Sequence, residues 1–173
     1  MIPLPSAISS GLTWSKIPRS RNFALRLNGE LAGALRRPSV WSSKFVAETH
    51  HGIWMFRRSG FFGTGAEIVD AVTEQPLATF KSGWSNRGTL TFADGQVFHI
   101  DCKGWWRPVW SVTTESGQPV LHLHTREKTV ELSPSAGIPD SRVSLLTMFV
   151  WYRVQQAEED AAGASTVAMM MTA

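Results

Sequence analysis

From residue 12 to residue 132 the chain alternates apolar and polar positions in short runs, each stopped by Gly, Pro, Asn, Asp or Ser. Alternation with a period of two puts one set of side chains on each face of a strand, so these runs read as half-buried β-strands. In order they are 12–17, 23–27, 31–35, 45–49, 53–57, 67–71, 77–81, 89–92, 96–100, 109–113, 119–124 and 128–132. Asn28-Gly29 lies between the second and third runs, where a type I′ hairpin turn needs positive φ at both central residues. Asp94-Gly95 is a second hairpin signal, and Glu115-Ser-Gly117 closes a third.

The pattern changes once, after Pro139. Between Arg142 and Arg153 only Ser144 and Thr147 are conspicuously polar. Wrapped at about 3.6 residues per turn, Val143, Leu146, Val150 and Val154 fall on one side, and Leu145, Met148, Phe149 and Trp151 cover the rest. A helix apolar all round must be enclosed by protein or by lipid. Lipid does not fit, because a span needs about 20 apolar residues and the two arginines bracket only half that number. A sheet of about twelve strands curls or closes, and closure at that number leaves an interior too wide for side chains alone. The helix is the plug such an interior needs.

The predicted fold is therefore mainly β: a closed antiparallel β-barrel of about 12 strands around a buried hydrophobic C-terminal α-helix. The helix is expected over 140–157, with Asp140 or Ser141 as N-cap, leaving the barrel where Gln155, Gln156, Glu158, Glu159 and Asp160 turn the pattern polar. One domain spans 11–160. Residues 1–10 read as a flexible lead-in and 161–173, rich in Ala and Met, as a disordered tail.

Composition adds three points. Eight Trp in 173 residues is heavy aromatic usage, suited to a wide core, since each ring buries about 150–250 Å². A net charge of +3 with Arg spread along the chain does not point to nucleic acid. The single cysteine, Cys102, excludes a disulfide framework and a Cys-based zinc site. With no basic n-region or long h-region at the start, the expected setting is reducing and cytoplasmic, peripheral to the membrane if the basic residues act there.

Candidate chemistry is sparse. Arg36, Arg37, Arg57, Arg58, Arg126 and Lys128 are candidate ligand-binding residues, because the guanidinium fork suits phosphate oxygens. Phe61-Phe62 and Trp105-Trp106, interspersed with them, would dip into a membrane interface. The plainer reading is a set of solvated charges at strand ends. His122 and His124 share a strand face, and with His99 or Asp101 they would make a three-ligand metal site. Alternation alone explains their spacing, so no metal and no cofactor is expected. His50-His51 beside Gly52 reads as a loop. Gly60 to Gly65 has the glycines of a phosphate loop but lacks the Lys-Ser/Thr and precedes a strand. Cys102 is expected to be a buried, inert thiol, with His99 on the opposite strand face. No enzyme signature is present.

The strand-turn rhythm, the hairpins at Asp94-Gly95 and Glu115-Ser-Gly117 with Trp between, and the helix ending Trp151-Tyr152 resemble the tubby C-terminal-like superfamily over about residues 20–156. That group includes tubby proteins, phospholipid scramblases, LURP-one-related proteins and small bacterial proteins. The resemblance implies a closed twelve-stranded barrel around a hydrophobic helix. No ligand residues carry over from tubby proteins, and the calcium-site and cysteine-rich patterns of scramblases are missing. Three functional readings stand. The first is a non-catalytic barrel that binds a lipid head group, another ligand or a protein partner at a basic and aromatic face. The second is a metal-assisted enzyme using His99, His122 and His124, and the third is a structural scaffold.

Overall fold

A computed structural model describes residues 1–4, 8–39, 42–60, 64–83, 86–133 and 137–171, with side chains left aside at 8–10 and 164–171. The strands are β1 (Ile8–Lys16), β2 (Phe23–Leu27), β3 (Glu30–Arg36), β4 (Phe45–Thr49), β5 (Gly52–Ser59) and β6 (Gly65–Asp70), continuing with β7 (Pro76–Ser82), β8 (Gly88–Phe92), β9 (Val97–Lys103), β10 (Val109–Thr114), β11 (Pro119–His124) and β12 (Thr129–Leu132). A helix, α1 (Asp140–Met171), follows. Every strand pairs antiparallel with its sequence neighbours, and β1 also pairs with β12, so the barrel is closed and has no free edge. The expected mainly-β barrel with its C-terminal helix is the fold observed.

Local chemistry explains the turns. Asn28 and Gly29 both adopt positive φ, as a type I′ turn requires. At Asp94-Gly95 only the glycine does; Gly95 N–H donates to the Phe92 carbonyl at 3.0 Å, closing a type I turn, and the Asp94 carboxylate accepts from the Gln96 N–H.

The inward residues of the strands and the helix form one core. From Val143 to Val154 every helix residue is buried. Phe149 packs edge-on against Phe56 and Phe80, Tyr152 against Phe45, and Trp151 stacks on Trp14 with ring centroids 5.0 Å apart. Rings from β1, β4, β5 and β7 thus surround the helix, which is how the aromatic content is used. Thr147 is accommodated by donating to the Val143 carbonyl one turn back. Most outward positions are polar or charged, among them Arg57, Glu67, Thr79, Thr91, Asp101 and Glu131, with Leu31, Val46, Ile53 and Met55 the apolar exceptions on β3–β5. That is the inverse of a barrel whose wall faces lipid.

Two boundaries differ from the sequence expectation. The lead-in is not loose throughout: Leu4 is 2% exposed within the core, the Ile2 N–H donates to the Leu31 carbonyl at 3.0 Å, and β1 already begins at Ile8. Ser9-Ser10-Gly11 carries no alternation to read. Pairing with β12 organises it, through an irregularity between Ile8↔Leu132 and Leu12↔Val130. At the other end α1 continues past 157 and through most of the segment expected to be disordered, to Met171. Ala is the best helix former, and a helix already nucleated inside the barrel extends at little cost.

The up-and-down order gives the barrel two distinct mouths. The connections β2–β3, β4–β5, β6–β7, β8–β9 and β10–β11 gather where α1 enters, and β1–β2, β3–β4, β5–β6, β7–β8, β9–β10 and β11–β12 gather where it leaves. Among the described residues, no helix is long and apolar enough to cross a membrane.

Candidate functional site

The exit mouth collects nearly all the positive charge of the chain. Lys16, Arg19 and Arg21 stand at the β1–β2 connection, and Arg36, Arg37 and Lys44 at β3–β4. Arg57 and Arg58 end β5, while Lys81 and Arg87 flank β7–β8. Lys103 and Arg107 flank β9–β10, and Arg126 and Lys128 form β11–β12. Of the other three among the seventeen basic residues, Arg153 is buried below this rim, and Arg26 and Arg142 stand towards the entrance. The entrance connections are acidic instead, carrying Glu30, Asp70, Glu74, Asp94 and Glu115. The barrel is therefore electrically polarised along its axis.

All six basic candidates named from the sequence lie at this mouth, but four are already occupied by carboxylates. Arg36 pairs with Glu48 at 3.2 Å and Arg57 with Glu67 at 2.6 Å. Arg37 and Arg58 hold Glu159 and Asp160, fastening the emerging helix to β3–β4 and β5. Arg37 also donates to the Ser42 carbonyl at 2.7 Å. Arg87 and Lys103 share Asp101, and Arg107 reaches Glu127. Among the described residues of this mouth, Lys16, Arg19, Arg21, Lys44, Lys81, Arg126 and Lys128 make no ion pair.

Lys16, Arg19 and Arg21 were missed as candidates because the sequence reading followed adjacent arginine pairs. The available signal was three cations within one six-residue turn, Lys16-Ile-Pro-Arg-Ser-Arg21. With Arg37 they line an open basin of about 730 Å³. In this turn the Ser20 N–H donates to the Ile17 carbonyl at 3.2 Å, and Arg19 takes φ of 57°, a conformation that Gly or Asn adopts more readily.

The aromatic part of the rim is β9–β10. Trp105 is 97% exposed and Trp106 78%, side by side between Lys103 and Arg107. Two bare indoles are costly in water and suit a boundary that is apolar on one side and wet on the other. Phe61 and Phe62, expected to act with them, lie outside the described residues.

Below the rim, inside the mouth, Arg153 is 7% exposed. It donates to Gln156, whose amide donates to the Tyr152 hydroxyl at 2.6 Å, and its guanidinium lies over the Phe80 ring. Burial pulls the Arg153 pKa down and pushes the Tyr152 phenol up. The arrangement joins the last buried turn of the helix to β7.

The histidine constellation does not assemble. His122 lies opposite Ser111 and, beyond it, Asp101; His99 lies opposite Thr113, two residues along and two strands away. That separation is about 10 Å before the offset along the strand is added. His124 faces Glu131, and His99 faces Thr89. Among the described residues, no three His, Cys, Asp or Glu side chains converge as metal ligands. Cys102 is half-buried where full burial was expected; desolvation, then the charge of Asp101, raises its pKa and keeps the thiol protonated.

At the entrance, Arg142 lies over the Phe92 ring at 3.8 Å, donates to Asp94 at 2.8 Å and to Gln96 at 2.9 Å, and so latches the start of α1 to β8–β9. The cavity beside it, about 300 Å³, is lined by His51, Trp54, Leu77, Ser141 and Leu145, with Asp94 already held by Arg142. The Arg142 hydrogen bond holds the Asp94 carboxyl below its ordinary 3.8. A depressed carboxyl stabilises the fold above the unfolded value and loses that contribution as pH falls through the folded one. Thermal melts of wild type and Asp94→Asn should therefore differ at neutral pH, begin to draw together near about pH 4, where the unfolded aspartate protonates, and converge only below the folded value. A constant gap at all pH values would show that the latch carries no charge contribution.

Comparison of the chain with protein-family models, curated proteins and solved structures finds no match in any of the three.

Proposed function

We propose that this chain is a tubby-like, non-catalytic barrel that docks on an anionic membrane surface through its exit mouth. The observation that carries the reading is the gathering of fourteen of seventeen basic residues, with Trp105 and Trp106 fully presented, on the same end of a closed barrel. Each cation held near an anionic leaflet contributes about 1 kcal/mol, so the unpaired set alone is sufficient for salt-sensitive recruitment. Tryptophans add affinity at the head-group level. The cytoplasmic leaflet is the surface with this charge, which agrees with the setting expected from the sequence.

Flotation with phosphatidylcholine vesicles, with and without phosphatidylserine, tests the reading. Binding should require the anionic lipid and weaken as salt rises. Replacing Lys16, Arg19 and Arg21 together by Ala should cost about a hundredfold in affinity at low salt, from roughly 1 kcal/mol per cation. Arg57→Ala with Arg58→Ala should cost less, because those arginines already face Glu67 and Asp160. Arg19→Gly separates binding from folding: it relieves the left-handed backbone, so stability should hold or rise slightly while binding drops. Equal binding to neutral and anionic vesicles would remove the proposal.

A further inference from the structure

We infer that the part of α1 beyond the barrel, residues 161–171, is a peg that enters the apolar layer of the membrane on which the exit mouth docks. The inference rests on that docking reading. Five observations support it.

The helix does not stop at the rim: it is buried to Gln156, exposed from Glu158, and continues without a break to Met171. The emergent segment Ala161 to Met171 contains no charged residue, and it ends in Val-Ala-Met-Met-Met. The last charges before it are neutralised at the rim, Glu159 by Arg37 and Asp160 by Arg58. Glu158 accepts a hydrogen bond from Gln155 at 3.3 Å. The segment leaves the barrel through the same mouth at which Trp105 and Trp106 are exposed. Finally, eleven helical residues past Asp160 rise about 16 Å, close to half of a hydrocarbon core of roughly 30 Å.

A helix carries its backbone hydrogen bonds internally, so it is a form in which chain can enter lipid. At this length it reaches into one leaflet and cannot cross two. Ala, Gly, Ser and Thr make a weak insertion sequence, in which Val167, Met169, Met170 and Met171 are the most apolar residues. Such a peg needs the rim as a second signal, just as a single weak anchor is made stable by a basic patch.

The test places an environment-sensitive fluorophore on Ala168→Cys in a Cys102→Ala background of the full chain, with Ser116→Cys at the opposite mouth as reference. On addition of phosphatidylcholine–phosphatidylserine vesicles, the probe at 168 should shift to the blue and be quenched by lipids carrying a quencher in the acyl region; the probe at 116 should do neither. Deleting 161–173 should leave the melting temperature unchanged and weaken vesicle binding about tenfold. Vesicle binding with the probe at 168 still in water would overturn the peg and leave the docking reading intact. Failure to bind any vesicle would overturn both. A blue shift without vesicles, growing with protein concentration, would assign the segment to contacts between copies of the chain and overturn the peg.

Discussion

A chain ending at residue 139 should show no cooperative melting transition. The truncated chain keeps all twelve strands and every hairpin, so local structure predicts that it folds; the core predicts that it does not. Nine apolar side chains of the helix are buried, Val143, Leu145, Leu146, Met148, Phe149, Val150, Trp151, Tyr152 and Val154. At roughly 1.5–3 kcal/mol for each buried side chain, their removal costs as much as or more than the usual net stability of about 5–15 kcal/mol. The loss is also two-sided, because Leu12, Leu25, Phe56, Phe80, Leu90 and Phe98 would then line a water-filled lumen. A closed wall cannot shrink to fill it, since strand number and register set the diameter. Calorimetry and near-ultraviolet circular dichroism on the 1–139 chain check this. A sharp transition would mean that the strands hold one another without the plug.

Phe149→Ala should destabilise the whole protein by about 3–5 kcal/mol, the range for a fully buried Phe with little local relaxation. Phe149 is 0% exposed, with Phe56, Phe80 and Tyr152 at ring-centroid distances of 5.5, 5.6 and 5.7 Å. Removing the ring forfeits its transfer energy and several aromatic pairings at once, each worth about 0.5–1.5 kcal/mol beyond burial. Phe56 and Phe80 are fixed by strand pairing on opposite sides of β6 and cannot collapse into the space. For a chain of this size the melting temperature should fall by roughly 10 °C. Phe149→Leu should lose much less, because it keeps most of the volume. A deficit below about 1 kcal/mol for the alanine variant would show that the core around the helix is loosely packed.

Docking and stability should separate cleanly in this molecule. The residues proposed to meet the membrane, Lys16, Arg19, Arg21 and the two tryptophans, are outside the core, and the residues that hold the barrel are inside it. Surface substitutions of the first kind usually stay within about 0.5 kcal/mol of wild type, so lost binding there is not misread as unfolding.

The set of elements was legible from local pattern alone. Period-two alternation places residues on two faces of a strand wherever the strand lies, so Thr129-Val-Glu-Leu132 alternates in burial as it does in sequence. Asn28-Gly29 specifies its turn through backbone φ alone. The all-round apolar stretch before Arg153 demanded enclosure, and enclosure with twelve strands meant a barrel. Tertiary structure decided matters that depend on partners far along the chain. Ser9 and Ser10 are strand because β12 pairs with that stretch, and Leu4 is core because the barrel offers it a place. Which cations are free was equally illegible. Arg37 is matched by Glu159, 122 residues away, and Arg58 by Asp160, 102 residues away, whereas Arg19 has no such partner among the described residues. A local pattern reports the surface a residue prefers; which charge neutralises it depends on chain closure, and closure is a property of the whole barrel.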